Sequence, residues 1–354
     1  MSITKDEYRR RFKADGLYYG FRDCVVRDRD IFVFIAEPEL TEEDKAEYEE
    51  KDWSFDLAPK GIITFIRDDP VGDQWSGGFL SWITPIVGAS LKPASHSVSI
   101  ERGPAYGRYE NFNFVTGSGP AYEDEPLGDL LRGAVRHMKM IDGWLYVCTG
   151  NRGLGKRLGR GKWQSCNECF PKPDKGDYNK GFADFDAFSE SDIYLAGGRG
   201  DVWHFDGKKS RQIPIPTNIE LKTVCCGGNG EVYISGEKGM TFHGRGDRWE
   251  RVENEEPYED PSTLPFRDMV WYEDKVWASN DYGLWVIENN TIKEADVPDW
   301  VGKCSGDLSV GDGVLLLSGY HGAVFRENGE WHKILLFNEM EALLAAEEDG
   351  GASS

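Results

Sequence analysis

From residue 184 onward the chain alternates short β-prone runs with tight polar turns. Phe185, Ala187 and Phe188 precede a polar turn at 189–192, and Ile193-Tyr194-Leu195-Ala196 leads into Gly197-Gly198-Arg199-Gly200. Val202-Trp203-His204-Phe205 then ends at Asp206-Gly207, and a closing run reaches Ile213. Such runs bounded by glycine or Asp-Gly predict hairpins, and two hairpins in succession predict a four-stranded antiparallel meander. A meander apolar on both faces cannot bury itself alone, so copies of it are expected.

The copies are present. Tyr194 aligns with Tyr146, Tyr233, Trp277 and Leu316, at spacings of 48, 39, 44 and 39 residues. Six residues beyond the last four of these five positions stand Gly200, Gly239, Gly283 and Gly322; the copy at Tyr146 has one extra residue and reaches Gly153. Nine residues beyond Tyr194, Tyr233, Trp277 and Leu316 come Trp203, Phe242, Val286 and Phe325, and several copies close on Trp163, Trp249 or Trp331. A period near 40 with four strands per unit predicts stacked blades, each covering the faces of its neighbours.

The repeated pattern is apolar-x-apolar-x-Gly-x-x-Gly-x-apolar-aromatic, seen at 193–205 and more loosely at 232–244. It resembles the bacterial propellers grouped with the WD-repeat, kelch and sialidase-type repeat families, over about residues 134–336. The resemblance implies an all-β fold, a β-propeller of four-stranded blades, in such families commonly closed by an N-terminal strand that completes the last blade; counting blades along the chain gives seven, with six or eight as alternatives. It implies no activity, because no Gly-His or Trp-Asp signature stands at the blade positions and this architecture serves many functions.

Regular blades are expected at 134–165, 183–215, 222–253, 267–294 and 304–336, with two degenerate ones in 17–133. In the first of these, Cys24-Val25-Val26, Ile31-Phe32-Val33-Phe34 and residues 61–66 repeat the strand rhythm; residues 67–126 form the second, with long loops. Residues 17–336 thus form a single propeller domain. Residues 1–16 read as a short exposed helix, residues 339–348 as a helix by propensity within a C-terminal segment 337–354.

The chain of 354 residues carries a formal net charge of −21. That excess disfavours nucleic acid and anionic membranes as partners and suits a basic protein partner. No run of 18 apolar residues predicts a membrane-crossing helix, and residues 1–16 lack the apolar stretch of a secretory signal, so a cytoplasmic protein is expected. Cys24, Cys148, Cys166, Cys169, Cys225, Cys226 and Cys304 are odd in number and widely spaced, which is no disulfide framework. Cys166-Asn-Glu-Cys169 is a single CxxC without the second ligand pair that a structural zinc site needs, so neither a metal nor a cofactor is expected.

The candidate chemistry lies in loops. Residues 37–60 insert between a second and a third strand, with ten acidic residues from 37 to 56 against two lysines. Together with the connections at 253–260 and 294–300, this insertion is expected on one face, where Glu42, Glu43, Asp44, Glu255, Glu256, Glu259 and Asp260 would pair with Lys or Arg of a partner. The turns carrying Arg199, Lys238, Asp281-Tyr282 and Tyr320-His321 are expected on that face, in the mixed composition of recognition loops. Residues 152–162 are glycine-rich and basic, but Arg157 stands where a phosphate loop needs Ser or Thr, and an exposed basic loop is expected.

Six histidines (His96, His137, His204, His243, His321 and His332) give no HExxH motif, and no catalytic residue is singled out. His204 and His243 fall near one repeat position in third strands, a matter of register. These observations favour a non-enzymatic propeller that binds a protein, in concrete form an immunity protein neutralising a basic bacterial toxin such as a nuclease. The alternatives are a hydrolase or lyase acting on a polysaccharide or small molecule at the channel mouth, and an assembly scaffold. If the cysteine reading is right, alkylating the denatured, unreduced protein modifies all seven cysteines. Mass spectrometry finding five, with residues 166 and 169 linked, would overturn it.

Overall fold

A computed structural model describes residues 3–51, 54–101, 112–116, 122–126, 132–177, 179–255 and 265–351. Each repeat inferred from the spacing is a sheet of its own. After helix α1 (Lys5–Phe12), the first sheet holds β1 (Tyr18–Asp28), β2 (Ile31–Glu39), β3 (Lys60–Ile66) and β4 (Trp75–Leu80), with α2 (Glu42–Glu50) between β2 and β3. The second is β5 (Pro85–Ser90), β6 (His96–Glu101), β7 (Phe112–Thr116) and β8 (Tyr122–Pro126). The third is β9 (Val135–Ile141), β10 (Trp144–Thr149), β11 (Gly153–Gly159) and β12 (Lys162–Ser165); the fourth is β13 (Asp184–Ser189), β14 (Asp192–Gly197), β15 (Asp201–Phe205) and β16 (Ser210–Ile213). The fifth is β17 (Leu221–Cys226), β18 (Val232–Gly236), β19 (Thr241–Arg245) and β20 (Arg248–Arg251).

The next sheet has β21 (Glu253–Asn254), β22 (Asp268–Tyr272), β23 (Lys275–Asn280), β24 (Gly283–Glu288) and β25 (Thr291–Glu294). After α3 (Asp299–Gly302), the last has β26 (Gly306–Gly311), β27 (Val314–Gly319), β28 (Gly322–Glu327) and β29 (Glu330–Leu336), followed by α4 (Phe337–Gly351). Among the described residues, six sheets are therefore four-stranded, rather than the seven expected. The other gains a fifth strand because β21 runs parallel to β25, pairing Glu253 with Thr291 and Asn254 with Ile292.

The chain divides into two compact units, Met1–Ile83 with Val297–Ser354, and Thr84–Asp296. In the second unit the apolar clusters lie between successive sheets. Phe185 and Leu195 of the β13–β16 sheet share one with Tyr146 and Leu154 of the β9–β12 sheet; Tyr194 and Val202 share another with Val224 and Ile234. Strands β10, β14 and β18 are thus covered on both faces, and these and β23 bury nearly every residue. This accounts for continuous apolar runs such as Ile193–Ala196 where a half-exposed strand would alternate. The fourth strands β12 and β20 are mostly exposed.

In the first unit, β1 stacks beside β26 and β27, and the core is aromatic. Helix α1 is not exposed, contrary to expectation. Tyr8 and Phe12, one helical turn apart, are buried, and the Phe12 ring lies 5.5 Å from Phe21, 5.6 Å from Trp75 and 5.3 Å from Phe337. Tyr8 Oη donates to Glu341 of α4 at 2.8 Å, and Arg9 and Lys13 pair with Glu347 and Glu341 at 2.9 and 3.0 Å. The reason is the i, i+4 apolar spacing, which the surrounding charges mask.

Two further expectations fail. Among the described residues, the last sheet is built from residues 306–336 alone, with no N-terminal strand completing it. Residues 152–162 are no exposed loop. Residues 153–159 form β11 between β10 and β12, and Arg157 is fully buried. Arg152 grips Asp201 with two hydrogen bonds of 2.8 and 2.7 Å and lies 4.8 Å over the Trp203 ring. A Cβ at Gly153 would stand 2.1 Å from Thr149 Oγ1, so this glycine serves strand packing.

Replacing Phe12 by Ala should cost about 3–5 kcal/mol, the usual loss for a truncated core phenylalanine. Replacing Arg9 by Ala, at the exposed ion pair, should cost about 1 kcal/mol or less. Urea titration of both variants checks this, and equal midpoints would mean α1 is held by its charges and not by its rings.

Candidate functional site

The acidic insertion is where the sequence places it, between the second and third strands of the first sheet. Thr41 caps α2 reciprocally with Asp44: the Asp44 amide donates to Thr41 Oγ1 at 3.1 Å, and the Thr41 amide and hydroxyl donate to the Asp44 carboxylate at 2.8 and 2.7 Å. These bonds hold the Asp44 carboxyl below its usual range. Asp44 is therefore spent on the helix start, a capping box legible as Thr-x-x-Asp. Glu42 pairs with Lys45 at 2.6 Å. No residue of α2 is buried, so the helix stands off the sheet with its carboxylates in water.

Tyr320 and His321 form the exposed β27–β28 turn of the same unit. Gly20 of β1 lies against this turn: a Cβ there would stand 3.4 Å from Tyr320 Cα. Glu37 and Glu39, at the root of the insertion, are close enough to act electrostatically on Tyr320. The structure thus brings together the base of the acidic insertion and the Tyr320–His321 turn.

In the second unit, Arg199, Lys238 and Asp281-Tyr282 occupy the second-to-third-strand turns of three successive sheets and are exposed. Lys238 sits at φ 59°, a turn conformation few side chains favour. Asp281 accepts from Arg267 at 2.9 Å, and Tyr282 beside it is 81% exposed. Glu255 follows β21 and donates its amide to the Ile292 carbonyl at 2.9 Å. Glu256, Glu259 and Asp260 lie outside the described residues. His204 and His243 each meet the acid that opens their own sheet's second strand region, Asp192 and Glu231, at 2.8 Å, as repeat register predicts.

One cluster was not anticipated. In the second unit the first strands of successive sheets lie side by side, and polar residues of three of them meet at Asp184. His137 Nδ1 bonds one carboxylate oxygen; the other accepts from Thr223 Oγ1 at 3.0 Å and the Val224 amide at 2.8 Å, with Lys139 Nζ at 3.5 Å. One carboxylate therefore ties three sheets together. Burial alone would raise its pKa, but His137 and Lys139 hold it well below the usual carboxylate range. Burial alone would lower His137 and Lys139, and Asp184 outweighs it, raising both. Asp186, facing the Cys226 amide at 2.7 Å, is raised by burial. The signal available was the alternation His137-x-Lys139, Asp184-x-Asp186 and Thr223-x-Cys225 in otherwise apolar strands.

All seven cysteines are free thiols. Burial pushes Cys166 up to about 11 and Cys304 to about 12, and raises Cys148 and Cys225 as well, so at neutral pH these are protonated, unreactive groups. Among the described residues, no three His, Cys, Asp or Glu side chains form a metal-holding group.

Solved structures of similar shape include a catalytically inactive virginiamycin B lyase from Staphylococcus aureus with quinupristin, at TM-score 0.60 and 11% identity over 90% of this chain and 96% of that one. They also include YCF48 bound to D1 peptide, at 0.56 and 14% over 87% and 92%, and the WD40 propeller domain of Doa1, at 0.57 and 11% over 89% and 95%. The chain has a β-propeller fold resembling theirs. At these identities the likeness is one of fold. No protein-family model matches the chain. A curated protein of Pseudomonas aeruginosa, Immune protein Tsi7, is 30% identical over 206 residues, which make up 57% of this chain and 66% of that protein's length.

Replacing Asp184 by Asn leaves His137 and Lys139 uncompensated beside the strands and should cost about 3–5 kcal/mol. The Asp184 contribution is present above the unfolded aspartate value of about 4 and fades as pH falls through its depressed folded value; the His137 part is present below about 6.5 and fades as pH rises through its raised folded value. The difference in stability between wild type and variant should therefore be widest between roughly pH 4 and 6.5. Urea titrations across pH 3–9 would refute the tie if that difference stayed flat.

Proposed function

We propose that this propeller is an immunity-type protein that binds a protein toxin in the cytoplasm and neutralises it, without chemistry of its own. The observation that carries this is the 30% identity to Immune protein Tsi7 over 206 residues. The net charge of −21 and the solvated α2 support a basic partner, drawn in by long-range attraction and blocked on contact. Glu42, Glu43, Glu255, Glu256, Glu259 and Asp260 would supply the carboxylates, and Arg199, Lys238, Asp281, Tyr282, Tyr320 and His321 the loop contacts. Asp44 would act indirectly, by holding the start of α2.

The test is to co-express the chain with the toxin encoded beside its gene and to measure growth and association. Reversing Glu42, Glu43 and Glu49 to Lys should slow association by roughly tenfold or more at low salt, with the difference shrinking as salt screens the field. Folding stability should change little, since exposed loop charges contribute about 0.2–1 kcal/mol each. Surface plasmon resonance that finds equal association rates would leave the acidic insertion as a solvating device. Failure to restore growth would remove the immunity role itself.

A further inference from the structure

The face of the first sheet at the root of the acidic insertion carries two exposed tyrosines in an unusual setting. Tyr18 and Glu39 are direct partners across β1 and β2, as are Gly20 and Glu37, so their Cβ positions share one face of the sheet. Tyr320 comes to that face from the β27–β28 turn and fills the space that Gly20 leaves open. A methyl at Gly20 would already sit 3.4 Å from Tyr320 Cα and 3.5 Å from its ring, so any larger side chain would push the turn away. The Tyr18 and Tyr320 side chains nonetheless remain 46% and 39% exposed.

Both rings already hold a cation of the chain itself. Lys13 Nζ stands 4.5 Å from the Tyr18 ring centre, and the Arg22 guanidinium 4.7 Å from that of Tyr320. Those two cations are neutralised, Lys13 by Glu341 at 3.0 Å and Arg22 by Glu37 at 3.2 Å. Glu39 differs. It is exposed, though only in part, and no ion pair within 4.0 Å reaches it among the described residues. Partial burial pushes its carboxyl up, an effect only offset in part by His321 and Arg22, so a further cation would be welcome there. Three residues on, α2 begins, with six carboxylates against one lysine.

We propose that Tyr18, Tyr320 and Glu39 form the anchor that receives an arginine-bearing segment of a protein partner. The guanidinium pairs with Glu39 and lies on the exposed part of the tyrosine rings, while α2 attracts the flanking positive charge. Arginine is the fitting residue because its planar, weakly hydrated head both stacks on aromatic faces and pairs with carboxylates, which an ammonium does less well. This deepens the proposed toxin contact by naming the chemistry of the partner segment, and depends on that proposal only for the partner's identity.

The test needs no toxin. The full chain, labelled with 3-fluorotyrosine, is titrated with a nine-residue oligo-arginine peptide and, separately, with oligo-lysine, following fluorine resonances assigned through Tyr18→Phe and Tyr320→Phe. Oligo-arginine should bind the tighter of the two and shift both assigned resonances. The double change Tyr18→Leu with Tyr320→Leu should weaken oligo-arginine binding roughly fivefold to thirtyfold, the loss of two exposed cation–π contacts. The two Phe variants should stay within about twofold of wild type, since the ring face is kept. Glu39→Gln, an isosteric surface change that leaves the fold intact even if the leucine pair disturbs it, should weaken binding roughly twofold to fivefold.

Equal affinities in wild type, the leucine pair and Glu39→Gln would overturn the anchor, as would resonance shifts confined to other tyrosines. A variant that loses oligo-arginine yet still neutralises toxin normally would overturn the anchor as the toxin contact and leave the proposed function standing.

Discussion

The second strands of these sheets cannot be solvated on either side. Residues such as Ile193, Leu195, Ile234 and Ala278 are flanked by hydrogen-bonded strands within the sheet and by apolar layers on both faces. A sheet of that kind is unstable alone, because leaving either face in water forfeits about 25 cal/mol for every Å² of apolar surface. Within a unit such sheets therefore stack on their neighbours, and in the second unit the hydrophobic clusters are interfaces between sheets as much as interiors of them. The second-to-third-strand turns at Arg199, Lys238 and Tyr282 are carried on strands buried in this way.

Apolar stacking sets neither rotation nor register strongly, since apolar contact has no direction. The Asp184 cluster supplies direction. A buried carboxylate that accepts from His137, Thr223 and the Val224 amide can be satisfied only when three sheets sit in one arrangement. A similar tie recurs further out, where Tyr146 donates to Glu190 at 2.5 Å and Lys156 pairs with the same carboxylate. Such groups stabilise the assembled stack less than they penalise alternatives, because a carboxylate buried without partners is expensive. In the other unit the corresponding work falls to packed rings around Phe12, Phe21 and Phe337, clasped by charged pairs between α1 and α4.

The rigidity that results suits recognition. Turns anchored on both sides by buried strands lose little freedom when they meet a partner, which lowers the entropic cost of binding. The Gly20 notch under Tyr320 is a local instance: a missing side chain in β1 seats the turn of another sheet and fixes a tyrosine beside a carboxylate. Helix α2 contributes differently. With nothing buried it adds no core, and its carboxylates act at a distance by charge alone.

The repeat was legible in the chain because strand positions obey local rules: turn residues and apolar runs recur every 39 to 48 positions, and the five sheets from residue 135 to 336 fall where that spacing puts them, whereas residues 75–80, expected in the second blade, pair with β3 as the fourth strand of the first sheet. The acidic insertion and the exposed turns at Arg199, Lys238, Tyr282 and Tyr320 followed from the same register. What the chain concealed was anything decided by neighbours distant in sequence. Basic residues at 152–162 look like an exposed loop until Asp201, forty-nine residues past Arg152, turns that arginine inward. The charged helix α1 looks solvated until α4, more than three hundred residues later, supplies its partners. The Asp184 cluster likewise joins residues 137, 184 and 223, each unremarkable in its own strand, because periodicity reports which face a side chain takes but not what stands opposite it. Local sequence determined the strands and the turns; the stacking of the sheets decided which charges are buried and paired and which remain exposed to solvent.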